Sequence, residues 1–141
     1  MILGCSFKDT LPSVCIDALI CVINNLEPKE NGEKVRKFIE EYDLEYLMFG
    51  SSYYFGVCRS NQKFWYDHIG KQWVISVRSN IKNYDRQIQK FLKYITPYVD
   101  RGSGYESGVF AYVQYEEADF PTMYTLRGVY GIEDDKLVQE E

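Results

Sequence analysis

The spacing of apolar residues changes period along this chain of 141 residues, and that change constrains the fold most. Near the start, apolar side chains recur every three or four positions, as on a helix with a broad buried face: Leu11, Cys15, Ala18, Leu19, Val22 and Leu26. Helical spacing returns at residues 35–42 and again over residues 83–96, where Pro97 closes the segment. The pattern therefore predicts two or three helices, the first of them largely buried.

Other parts of the chain follow the two-residue period of strands. Runs rich in aromatic and β-branched residues predict strands at residues 2–7, 45–49, 53–58, 63–69, 72–79, 109–115 and 122–126. In one run, Trp73, Ile75 and Val77 alternate with Val74, Ser76 and Arg78, which indicates one buried face. Residues 101–104 predict a loop. Because strand and helix runs are grouped, we expect an α+β fold. Its mainly antiparallel sheet would hold about six or seven short strands, a meander plus a C-terminal hairpin.

The polar end of the chain sets the predicted domain boundary. Residues 1–127 are long enough to form a single α+β domain with one core. From residue 128 onward the chain is polar and acidic, so we predict a polar acidic C-terminal tail over residues 128–141.

The cysteines indicate a reducing compartment. None of Cys5, Cys15, Cys21 and Cys58 forms a C-x-x-C pair, so no zinc or redox site is predicted, and we expect no metal and no other cofactor. The longest apolar run, residues 14–23, is too short to cross a bilayer and contains Asp17. With no signal peptide visible, we expect a cytoplasmic protein without a membrane partner.

The candidate catalytic residues do not form a convincing constellation. Asp67 and His68 are adjacent on a predicted strand, so their side chains should point to opposite faces. Cys58 would need a base, and His68 is the only histidine in the chain. The sequence therefore favours a protein without enzymatic activity, although a chemical role for His68, Cys58 or Glu116 stays open.

Charge favours a protein partner over nucleic acid. The formal net charge of -5 opposes nonspecific binding to phosphates, which requires excess Lys and Arg. The densest acidic group before the tail contains Glu116, Glu117 and Asp119, directly after Tyr115. Such a turn is usually only solvated surface. As a functional site, these four residues would bind a basic host protein.

Several segments together resemble small uncharacterised proteins of Firmicutes and of their phages and mobile elements. They are FKDTLP (7–12), SYYFG (52–56), VRSNIKNYD (77–85), FLKYITPYVD (91–100) and YEEADFPTMY (115–124). The resemblance implies an accessory protein from a phage or mobile element. Small acidic proteins of that kind are often inhibitors of host machinery, among them anti-CRISPR proteins.

Three functions follow from these observations as hypotheses. The leading one is a non-enzymatic, protein-binding accessory protein that inhibits a host system. The second is a small-molecule or nucleotide-binding enzyme with a pocket between the sheet and helix 83–96. The third is a homodimeric structural protein that pairs sheet edges or helix faces.

Overall fold

The computed structural model describes residues 1–28, 32–50, 63–80, 86–102, 108–115, 118–133 and 136–140. Four helices are present in these ranges: α1 (Ser13–Asn24), α2 (Gly32–Tyr42), α3 (Leu44–Leu47) and α4 (Gln87–Ile95), the last continued by a 3-10 turn at Thr96–Tyr98. The strands are β1 (Ile2–Phe7), β2 (Phe64–Asp67), β3 (Gln72–Arg78), β4 (Val99–Gly102), β5 (Val109–Val113), β6 (Thr122–Thr125), β7 (Gly128–Glu133) and β8 (Lys136–Glu140).

All eight strands belong to one sheet, in which every pair of neighbours is antiparallel. The order is β2-β3-β1-β5-β6-β7-β8. Strand β1 lies in the centre, with β3 along one side, while β4 and β5 pair with different parts of its other side. The α+β prediction with a mainly antiparallel sheet is confirmed, with eight strands where six or seven were expected.

The core lies between the helices and one face of the sheet. Leu3, Cys5 and Phe7 alternate along β1 and are fully buried, as the two-residue period requires. They belong to one apolar cluster with the inner sides of α1 and α4, which include Leu19 and Phe91. Burying one such side chain contributes about 1.5–3 kcal/mol, so this cluster is the main source of stability.

The centre of β3 is buried on both faces of the sheet. Ile75 and Val77 are buried on one face of β3, as predicted, but Val74 and Ser76 on the other face are buried as well. The prediction of one buried face is therefore wrong for the centre of β3, where Val74 and Ser76 are shielded from solvent although their side chains point away from those of Ile75 and Val77.

Residues 45–49 were predicted to be a strand and instead contain most of the short helix α3. Leu44, Leu47 and Met48 are all buried, and their spacing of three and four residues places them on one side of a helix. The aromatic residues in this run favoured a strand, but the burial of this apolar set decided the conformation. The strand predicted at residues 53–58 lies outside the described residues.

The predicted C-terminal tail is wrong, because residues 128–133 and 136–140 form β7 and β8. Strand β7 pairs with β6, Val129 packs against the core, and Gly131 is buried. Backbone hydrogen bonds at a sheet edge need few apolar side chains, which is why polarity suggested a tail. The loop predicted at residues 101–104 is also wrong in its first half, because Arg101 and Gly102 pair with β1.

The predicted helix 83–96 is shorter in the structure, where α4 begins at Gln87. Arg86, directly before it, has a left-handed backbone (φ 58°), which a continuous right-handed helix cannot contain. Residues 83–85 lie outside the described ranges.

None of the helices in the described ranges is both long enough and apolar enough to cross a membrane.

Candidate functional site

The turn after β5 contains two of the predicted binding residues within the described chain. The hydroxyl of Tyr115, which is half-buried, accepts a hydrogen bond from Nε2 of Gln89 on α4 at 2.5 Å. The backbone N–H of Ala118 donates to the carbonyl of Tyr115 at 3.1 Å and closes the turn. Asp119 is exposed. Tyr115 therefore ties the turn to α4, and Glu116 and Glu117 lie outside the described residues.

The β2–β3 hairpin contains His68, the candidate base. The Asp67 carboxylate accepts a hydrogen bond from the backbone N–H of Ile69 at 3.0 Å, so it orders the turn itself. The imidazole of His68 is exposed and lies edge-on to Tyr66, with ring centres 5.0 Å apart. Cys58 lies outside the described residues, so the Cys58–His68 hypothesis stays a prediction.

The inner side of α4 packs against the core in the described part of the chain. Ile88, Phe91, Leu92 and Ile95 point inward and are 0–3% exposed. This inner side of α4 is therefore packed, and the hypothesis of a small-molecule pocket between the sheet and helix 83–96 stays a prediction.

A groove of about 730 Å³ lies elsewhere, between the C-terminal end of α1, α2 and α3. Two left-handed residues shape it: Asn25 (φ 54°) ends α1, and Asp43 (φ 49°) separates α2 from α3. Asn and Asp adopt this conformation more readily than other residues with side chains. The groove is lined by Cys21, Val22, Ile23, Asn25, Leu26, Glu27, Pro28, Arg36, Ile39, Glu40, Asp43, Glu45, Met48, Phe49 and Lys63.

The apolar part of the groove is accessible to solvent. Phe49 is 81% exposed and Leu26 is 55% exposed, whereas Met48 beside them is buried. Exposed phenylalanine is costly in water unless a partner covers it. Because both exposed side chains line one concavity, they differ from apolar residues scattered singly over a surface.

The polar rim of the groove is mainly acidic. Arg36 is within 3.7 Å of the Glu27 carboxylate, and the ammonium of Lys63 donates to the carbonyl of Met48 at 3.1 Å. Glu40, Asp43 and Glu45 are exposed, and no basic side chain of the described chain forms an ion pair with them. The groove therefore presents carboxylates that a cationic partner can neutralise.

The groove offers little to covalent chemistry. Its thiol, Cys21, has its pKa raised by burial and by the carboxylates of Asp17 and Glu27, so it is protonated at neutral pH and weakly nucleophilic. Histidine is not among the lining residues. Across the described ranges, no three His, Cys, Asp or Glu side chains are grouped so that they could hold a metal ion.

Sequence reasoning missed this groove because its walls come from three elements. Leu26 was assigned to the buried stripe of the first helix, and Phe49 to a strand. The available signal was the position of each apolar residue beside turn-forming residues, Asn24-Asn25 and Gly50-Ser51-Ser52.

Comparison with protein-family models found no matching family, and comparison with curated proteins and with solved structures found no similar protein.

Proposed function

We propose that this protein is a non-enzymatic binding protein that holds a basic segment of another protein in the groove between α1, α2 and α3. The observation that carries the proposal is the coincidence, in one concavity, of exposed Phe49 and Leu26 with the carboxylates of Glu40, Asp43 and Glu45, which form no ion pair within the described residues. Binding sites commonly combine an apolar centre with a polar rim in this way.

The chemistry of the groove specifies the partner's side chains. An Arg or Lys entering the groove gains the rim carboxylates, and its charge can also lie over the ring of Phe49. The aliphatic part of the same side chain, or a neighbouring apolar residue, covers Leu26. A segment that alternates basic and apolar residues therefore fits better than an acidic or a purely apolar one.

The biological setting is part of the same proposal. The resemblance to small proteins of phages and mobile elements supports an accessory role in which the bound partner belongs to the host and is inhibited. The acidic turn with Tyr115, Glu116, Glu117 and Asp119 stays a separate prediction, on which binding in the groove does not depend.

Affinity capture tests the proposal with full-length tagged protein and a Firmicute lysate. The wild type should retain a specific protein that added salt releases. The Phe49→Asp variant should lose this protein because the apolar contact is removed. The double variant with Glu40→Lys and Glu45→Lys should also lose it, because the charge of the rim is reversed.

Two controls match these substitutions. Phe120 is 47% exposed and does not line the groove, so Phe120→Asp should retain the partner. Glu41→Lys makes the same kind of charge change on an exposed position of α2 outside the groove and should also retain it. Capture of the same proteins by all variants, or of none by the wild type, would contradict the proposal.

A further inference from the structure

We infer that β8 pairs in antiparallel fashion with β8 of a second copy of this chain, which joins two eight-stranded sheets into one. The inference is independent of the groove and of any foreign partner. It rests on three features of β8: its position in the sheet, the direction of its backbone groups and the order of its residues.

Strand β8 forms an edge of the sheet. It is the last strand of the sheet order, with β7 on one side and no strand of the described residues on the other. Its register with β7 runs without a bulge over residues 136–140, and it contains no proline. Bulges and prolines are among the features that keep the sheet edges of monomeric proteins from pairing. Strand β8 therefore presents a regular edge to a further strand.

The direction of the backbone groups follows from the neighbouring strand. The carbonyl of Gly128 on β7 accepts a side-chain hydrogen bond from β6 at 2.9 Å, so the backbone of Gly128 faces β6. This direction alternates from residue to residue along a strand. Gly131 therefore faces β8, where its partner Val138 faces back toward β7. The N–H and C=O groups of Leu137 and Gln139 consequently point away from the sheet.

A two-fold axis at Val138 would satisfy these outward groups. On each side of the axis, Leu137 of one chain is then opposite Gln139 of the other. Residues in such a pair exchange both of their backbone N–H···O bonds, so the two strands form roughly four hydrogen bonds. The edge is thus complementary to itself in its hydrogen bonding.

The order of the residues, KLVQE, identifies a second copy as the occupant of this edge. In the two-fold register, Lys136 of each chain is opposite Glu140 of the other. Opposite charges at directly paired positions attract, and here that happens at both ends of the paired strands. Any shifted register shortens the overlap and separates these charges. Charge complementarity therefore selects both the partner strand and its register.

The centre of the paired strands is apolar and accessible. Val138 is 38% exposed, and Gln139 beside it is exposed as well. In the dimer the two Val138 side chains meet across the axis in a pair without direct backbone hydrogen bonds, where side chains approach most closely. The contact would remove apolar surface from water and place a β-branched residue against its own copy.

The expected assembly is a weak dimer. Because each chain has one β8, two-fold pairing occupies that edge in both molecules and growth stops. A single pair of short strands is a small interface, so we expect a dissociation constant of roughly 10 µM to 1 mM.

Sedimentation equilibrium of the full-length protein tests the inference. The average mass of the wild type should rise with concentration toward that of a dimer and no further. Gln139→Pro removes an outward N–H and should remain monomeric, whereas Gln139→Ala keeps that N–H and should associate like the wild type. Proline is tolerated at sheet edges, so the proline variant should fold, which circular dichroism verifies.

Exchange of the two charges tests the register. Lys136→Glu and Glu140→Lys each place like charges opposite one another, so each should lower the association constant about tenfold. The double variant restores opposite charges and should recover the wild-type constant. The two single changes shift the net charge in opposite directions, so a common loss cannot arise from overall charge.

A cross-link locates the axis. Val138→Cys places a thiol opposite its own copy, so mild oxidation with oxidised glutathione should produce a disulfide-linked dimer whose joined peptides both contain position 138. The same substitution at Gln139 faces Leu137 instead and should yield much less of this product. The wild type, with its native thiols, is the baseline.

Three outcomes would overturn the inference: a wild type that stays monomeric at every concentration, a Gln139→Pro variant that associates like the wild type, or a charge-exchanged double variant that is as weak as the single ones. Failure here is distinguishable from failure of the proposed function. Gln139→Pro leaves the groove intact and should still capture the basic partner, and Phe49→Asp leaves β8 intact and should still form the dimer.

Discussion

Two buried serines, three residues apart, should respond to alanine substitution with opposite signs. The hydroxyl of Ser79 donates to the carbonyl of Leu47 at 2.9 Å and thereby joins the end of β3 to α3 beside the groove. The hydroxyl of Ser76 is equally buried but has no hydrogen-bond partner in the described part of the chain. The same chemical change therefore removes a hydrogen bond at one position and an unsatisfied polar group at the other.

The expected magnitudes follow from this difference. Ser79→Ala removes one hydrogen bond and leaves the Leu47 carbonyl without this donor, which costs about 1–3 kcal/mol of the free energy of unfolding. Ser76→Ala removes a hydroxyl whose burial costs about 1–3 kcal/mol, partly offset by the small cavity that remains. We expect the free energy of unfolding of Ser76→Ala to be unchanged or raised by up to about 2 kcal/mol.

Thermal unfolding followed by circular dichroism provides the assay. A domain of 141 residues has an unfolding entropy of about 0.3 kcal/mol/K, so Ser79→Ala should lower Tm by about 3–10 °C. Ser76→Ala should leave Tm unchanged or raise it by up to about 6 °C. Ser13→Ala, at an exposed position where α1 begins, is the matched control and should change Tm by less than about 2 °C. If Ser76→Ala destabilised the protein as much as Ser79→Ala, the reasoning from hydrogen-bond satisfaction would be refuted.

Three further predictions concern the turn after β5, the end of α3 and the titration of the core. Tyr115→Phe should lower the urea unfolding free energy by about 0.5–1.5 kcal/mol, whereas Asp119→Ala should change it by less than about 0.5 kcal/mol. Gly50→Ala should destabilise by about 1–3 kcal/mol, because its Cβ would lie 2.2 Å from the Arg78 carbonyl oxygen, and an unchanged urea midpoint would contradict this. Burial raises the pKa of Cys15 from 9.0 to about 12, so its contribution to stability is complete below pH 9 and is lost as pH rises toward 12. A urea midpoint that rises between pH 8 and pH 10 would contradict that sign.

The sequence predicts an element correctly where its apolar residues follow one period and the element buries one face. Alternation along β1 places Leu3, Cys5 and Phe7 in the core, and helical spacing along α1 places Cys15 and Leu19 there. In both cases local periodicity and tertiary burial agree, so the pattern is sufficient.

The errors occur where one of those conditions fails. Helix α3 is so short that its aromatic neighbours hide the helical spacing of Leu44, Leu47 and Met48. Strands β7 and β8 are held mainly by backbone pairing at a sheet edge. Such pairing does not require an alternation of apolar and polar side chains, so the sequence does not reveal these strands. At Arg86 the positive φ ends the helical path, and arginine carries no local signal for that conformation.

The groove could not be predicted, because it is a property of three elements together. Leu26 and Phe49 are 23 positions apart, and the packing of α3 against α1 and α2 brings them to one concavity. The predicted turn at residues 115–119 was a sequence-local feature, and its aromatic residue is used within the fold, as the hydrogen bond from Gln89 to Tyr115 shows.

Site-specific photo-cross-linking is the most direct test that the groove binds a protein. A photoreactive phenylalanine analogue replaces Phe49, and in a control chain it replaces Phe120, which is exposed outside the groove. On irradiation in a Firmicute lysate, the probe at position 49 should form one dominant adduct, which added salt suppresses and which contains a basic segment of another protein. If both positions gave the same adducts, or position 49 gave none, the groove would not be the binding site and the central proposal would be wrong.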